Sequence, residues 1–120
     1  MDILIGNAFP LTLVRRSVRI DEKNLSELRK IAMDANIHSF WGHQNSLDSA
    51  INYLDFNIKP RKGRLPVELN EDHYPVLDNV VFMDCWIVSP QYIDNYRPKI
   101  GKEVSVDSII GWQVLKITWL

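Results

Sequence analysis

Apolar and polar positions alternate at the start of the chain. Ile3 and Ile5 recur at a spacing of two within residues 2–8, the period that sets side chains on one face of a strand, so a buried first strand is expected there. Gly6 and Pro10 bracket the turn after it, and residues 11–14 suit either more strand or a short helix. Residues 18–20 form a short strand candidate.

The period then changes to that of a helix. Leu25, Leu28, Ile31, Ala32 and Ala35 share one face, and Asn24 before them is placed to accept the orphan amide of Glu27, whose side chain is expected to reach back. A second helix is expected from Asn45 or Ser46, with Leu47, Ala50, Ile51 and Leu54 on its apolar face and Asp48 in its first turn, where the helix dipole favours an anion.

A basic turn over residues 59–64 follows, then strand candidates at residues 65–69 and 80–88 joined by the polar link Asn70-Glu71-Asp72. Ser105 is a cap for a short helix through Ile110, and residues 112–120 place Leu115, Ile117 and Trp119 on one strand face. These elements predict an α+β fold, a single domain over residues 1–120 with a mixed central β-sheet flanked by helices. No repeat, linker or low-complexity tract interrupts it.

Composition narrows the class. A hydrophobic content of 46% in 120 residues is ample for one core. The lone cysteine, Cys85, has no internal disulfide partner, and no apolar run reaches the ~20 residues that span a bilayer, so a cytoplasmic protein is expected. Fourteen Lys and Arg against 15 Asp and Glu argue against a coat for long nucleic acid, though a local basic patch would still suit a short polyanion. Neither a metal nor a cofactor is implied, since zinc-like Cys/His spacing and the Gly-rich triphosphate loop are both missing from the sequence.

The candidate chemistry centres on Trp41-Gly42-His43-Gln44-Asn45-Ser46. His43 stands just before the expected second helix, where free amides and the positive dipole end attract phosphate. An imidazole there, titrating near neutral pH, would protonate a leaving 5′-oxygen while a ribose 2′-hydroxyl attacks the phosphate. From spacing alone, the plainer reading is that Gly42 permits a turn and His43 supports the cap. His38 and His73 have weaker claims. Arg61, Lys62 and Arg64 form one basic cluster, and Arg15, Arg16 and Arg19 another; solvated surface charge is the plainer reading of both. Likewise Trp41, Trp86, Trp112 and Trp119 would stack on adenine, but core or interface packing is the plainer reading of each.

Asn7-Ala8-Phe9, taken together with Gly42-His43-Gln44-Asn45-Ser46, resembles the viral ring-nuclease family that acts as type III anti-CRISPRs. Members begin with a strand ending in Asn-Ala-Phe and carry a Gly-His pair before a Ser or Thr that opens a helix, a slot Ser46 fills. Arg64 is similar to the family's strand-leading arginine, and Arg97 before Gly101 to its Arg-rich turn into a late helix. Where the family often has a glutamate before that glycine, this chain has Ile100, and the segment from Glu71 to Asn95, with Pro75 and Pro90, is longer than expected.

The resemblance implies a homodimer whose shared pocket holds cyclic tetra-adenylate, with His43 as general acid and Asn7, Phe9, Ser46, Arg64 and Arg97 shaping or charging the pocket. It further implies metal-independent cleavage of the messenger, silencing an antiviral defence in the host cytoplasm. Two alternatives remain. One is a non-catalytic sponge for the same cyclic oligoadenylate, which Ile100 favours. The other is a protein-binding inhibitor of a host defence complex acting through an aromatic surface, for which the four tryptophans speak.

Overall fold

The structure, a computed structural model, describes residues 1–41, 67–92 and 109–120. In chain order these form β1 (Asp2–Gly6), a 3-10 turn (Leu11–Leu13), β2 (Val18–Lys23), α1 (Leu25–Ala32) and β3 (Asn36–Ser39). After residue 66 come β4 (Glu68–Leu69), β5 (Pro75–Leu77), β6 (Val80–Val81), β7 (Asp84–Tyr92) and β8 (Ile109–Trp119).

β1 lies inside a five-stranded sheet of order β2-β8-β7-β1-β3, parallel to both β3 and β7. The β7–β8 and β8–β2 pairs are antiparallel, so the sheet is mixed and the fold is α+β, as the periodicities predict. β1 buries both faces because a layer covers each: Ile3 and Ile5 point one way and Leu4 the other, each at most 2% exposed.

The two faces are covered differently. Leu28 and Ala32 of α1 pack on Ile3, Ile5, Trp86, Val88 and Val114, while Leu25, Ile31 and Ala35 close the edges of that layer. The expected apolar face of the helix is therefore the face it buries. Its start is also as expected, because the Asn24 side chain accepts the Glu27 amide at 2.9 Å. The Glu27 carboxylate, expected to reach back, instead lies 3.8 Å from Lys23 Nζ, one turn before it.

On the opposite face a small antiparallel sheet, β4-β5-β6, sits over Leu4, Cys85, Ile87, Ile117 and Trp119. Val67, Leu77 and Phe82 supply its apolar side. Sequence reading takes residues 80–88 as one strand, but the run divides. Asp78 and Asn79 adopt φ of 52° and 64°, a left-handed pair that turns Val80 back onto Leu77, so Val80–Val81 joins the small sheet. Phe82 and Met83 then carry the chain across to β7 in the large sheet.

Three further expectations change. β2 runs on to Lys23 rather than stopping at residue 20, because it pairs with β8 from Val18↔Trp119 to Lys23↔Val114. Ile109 and Ile110, read as the end of a helix capped by Ser105, belong to β8 and meet the far end of β7 at Tyr92. β3 has no counterpart among the expected strands. The second helix at residues 45–54 and the cap at Ser105 lie outside the described residues.

Candidate functional site

The parallel trio β3-β1-β7 points its carboxyl ends toward one edge of the sheet. Ile5 is level with Ser39 and Trp86, and Gly6 with Ile87, so β1 and β3 end together beside the middle of β7, which runs on to Tyr92. In open sheets with parallel strands this edge is where ligands gather, since loops diverge there around a crevice.

The corner after β1 is fixed by specific contacts. Phe40 donates its amide to the Ile5 carbonyl at 3.0 Å, continuing the strand pairing past β3, and the Trp41 amide donates to Ser39 Oγ at 3.2 Å. From β7, Ser89 Oγ donates to the Asn7 carbonyl at 3.0 Å. The Phe40 ring lies over Gly6 so closely that a Cβ at residue 6 would overlap it. Glycine is required at this approach.

Of the residues chosen from sequence, Asn7 and Phe9 fall within this corner and both are half-buried. The Phe9 ring meets Phe40 edge-on at 6.0 Å and Trp119 at 5.3 Å, so it is a packing residue that ties the corner to the core. His43, Ser46, Arg64 and Arg97, together with Ile100, lie outside the described residues. The chain enters the first outside segment after Trp41, just beyond β3, and the second after Tyr92, the last residue of β7 and well past the level of Asn7.

The Arg16 part of the second basic cluster has a structural use. Its guanidinium donates to the Leu120 carbonyl from two nitrogens and to the Asp72 carbonyl at 2.7 Å, while lying 4.2 Å over the Tyr74 ring. Arg19 pairs with Asp21 at 2.8 Å in an exposed contact that contributes little. The tryptophans are likewise used: Trp41, Trp86 and Trp119 are buried in the core, and Trp112 packs against Trp41 with centroids 6.1 Å apart.

Of the two described histidines, His38, ranked low by sequence, is the more engaged. His38 Nε2 lies 2.9 Å from Asp2 Oδ1 and its Nδ1 lies 2.9 Å from Asp78 Oδ2, with the ring edge-on to Phe82. Burial opposes the charged imidazole, yet the bonds to Asp2 and Asp78 and their charges outweigh it and raise the pKa above the ordinary 6.5. The His38 bond in turn holds Asp2 below its ordinary 3.8, with Asn36 and the Met1 amino group helping. With both nitrogens taken, this imidazole has none left for a substrate and is a structural group. No sequence signal pairs residues 2, 38 and 78, because the strand and turn that bring them together leave only short, polar traces.

His73 occupies a left-handed turn position, φ 66°, in the loop that Asn70 organises by accepting the Asp72 and Tyr74 amides. Cys85 is fully buried, and burial pushes its thiol well above the usual range, which makes it a core residue rather than a nucleophile. Among the described residues, no three His, Cys, Asp or Glu side chains are grouped as metal ligands. Among them also, no helix is long and apolar enough to cross a membrane.

No family model matches the chain, and no curated protein matches it in sequence. Among solved structures, the chain is similar to B116 of Sulfolobus turreted icosahedral virus, at 14% identity and a TM-score of 0.56, with all of each chain covered. The likeness is one of fold, and it extends over the whole of a viral protein.

Proposed function

We propose that this chain binds and cleaves a cyclic oligoadenylate messenger, with His43 as the general acid. The supporting observation is the shared edge where β1 and β3 end: Asn7 and Phe9 follow β1 there, and the chain passes Trp41, just beyond β3, two residues before His43. Fold likeness to a viral protein is in keeping with a role in countering nucleotide-signalled host defence, in the host cytoplasm.

The chemistry needs no metal. A ribose 2′-hydroxyl gives up its proton to water as its oxygen attacks the neighbouring phosphorus, the bond to the 5′-oxygen breaks, and His43 delivers the proton that this oxygen takes up, leaving a 2′,3′-cyclic phosphate. Arg64 and Arg97 balance phosphate charge, and Ser46 shapes the pocket with them. Phe9, fixed by Phe40 and Trp119, shapes the corner, and Asn7 lies two residues before it. A two-fold homodimer would match a ring ligand with repeated phosphates and give each symmetric bond its own histidine.

Ile100, in a position where an acidic residue would assist, favours a second reading: a sponge that binds the ring and returns it intact. The reading as an aromatic protein-binding surface loses its main support, since Trp41, Trp86 and Trp119 are in the core. Thermal shift against a panel of cyclic nucleotides separates ligand binding from that third reading, because an inhibitor acting only on protein would respond to none of them.

A further inference from the structure

The contacts around His38 assign its protonation state. Each ring nitrogen faces a carboxylate oxygen at 2.9 Å, and a carboxylate only accepts, so both nitrogens must donate. A neutral imidazole has one N–H. It would set a nitrogen lone pair against a carboxylate and lose one of the two bonds.

The two carboxylates come from different layers. Asp2 belongs to β1, the strand beside β3, whose ladder holds it to His38 whatever the charge. Asp78 sits in the two-residue turn between β5 and β6, on the small sheet. Those strands have only three and two residues, so their own ladder is short. The bond from His38 therefore ties the tip of the small sheet to the edge of the large one.

We propose that Asp2, His38 and Asp78 form a proton-operated latch: the charged imidazole holds the β5–β6 turn onto β1 and β3, and loss of its proton removes one of the two bonds and loosens that hold.

Among the described residues, the groups acting on the latch are Asp2 from β1, Asn36 from β3, Asp78 from the turn and the Met1 amino group, with the Phe82 ring as an apolar wall. The carboxylates and the imidazolium attract, and the amino group steadies Asp2. The small sheet covers Cys85, Ile87 and Trp119, which makes its attachment a control on how well that face is sealed. Asp2 and Asn7 stand at opposite ends of β1, roughly 16 Å apart at the rise of a strand, so the latch is separate from the corner described above.

Hydrogen exchange on the full chain tests this, with rates at each pH divided by those of an unstructured peptide. Protection of the paired residues Leu77 and Val80 should fall on the order of tenfold or more as pH rises through the His38 titration, followed by NMR of the ring. Asp78→Asn keeps a residue that tolerates φ of 52° and removes the charge, so it should lower protection at acidic pH and flatten the step. His38→Gln, which cannot be an imidazolium, should behave likewise and identifies the ring signal. A normalised profile that stays flat in wild type, or the same step persisting in both variants, would overturn the latch.

Discussion

The Phe40 ring occupies the volume that any side chain at residue 6 would need, so β1 and the end of β3 touch backbone to ring at Gly6. Phe40 is only 4% exposed and is held on its other side by Phe9, which leaves the ring little room to yield. This contact sets the course of the chain into Asn7 and Phe9.

Gly6→Ala should therefore overpack the corner and destabilise the fold by about 1–3 kcal/mol, the usual cost of forcing a methyl into a filled core. Urea unfolding followed by tryptophan fluorescence checks it. A variant as stable as wild type would mean that the ring moves aside freely.

The His38 cluster sets a pH window for stability. The raised His38 pKa adds stability that is complete below the ordinary 6.5 and is lost as pH rises through the folded value. The lowered Asp2 pKa adds stability that is complete above the ordinary 3.8 and is lost as pH falls through its folded value. The cluster's joint contribution is thus greatest between 3.8 and 6.5. The difference in urea midpoint between wild type and His38→Gln should peak in that window and shrink on both sides. A difference that grows steadily toward alkaline pH would contradict the assignment.

How much of this was legible depended on whether a residue's partners were near in sequence. Asn24 and Glu27 are three residues apart, so the cap is written locally, and the face formed by Leu25, Leu28 and Ala32 needs only one helical period. The odd positions of β8 read equally well, because Leu115, Ile117 and Trp119 share one buried layer. β3 was missed because Asn36, His38 and Ser39 are polar: a strand at the sheet edge beside β1 needs only Ile37 for the helix side. Residues 80–88 looked like one strand since hydropathy cannot report that Asp78 and Asn79 reverse the chain. Asn7 and Phe9 are proposed for the site through their motif, but the residues that contact them, Phe40 and Ser89, come from other parts of the sheet and leave no mark at short range.

Charge in the proposed pocket has its own test. If Arg64 and Arg97 pair with ligand phosphates, replacing either with Ala should weaken binding of a cyclic oligoadenylate by about 1.5–3 kcal/mol, the range for hydrogen bonds to charged groups. Calorimetric titration reads the change. Folded variants that both keep wild-type affinity would remove these arginines from the site.

The central claim is cleavage by His43, and a single-turnover assay with labelled ring, excess protein and a chelator tests it most directly. Wild type should cut the ring without metal, first to a 2′,3′-cyclic phosphate, and a deoxyribose at the scissile position should block it. His43→Ala should bind as tightly but cut about 10²–10⁴-fold more slowly, the usual contribution of general acid catalysis. Intact ring recovered from its complex with wild type would leave the sponge. Undiminished cutting by His43→Ala would contradict the mechanism, and failure of wild type to bind any cyclic oligoadenylate would contradict the function itself.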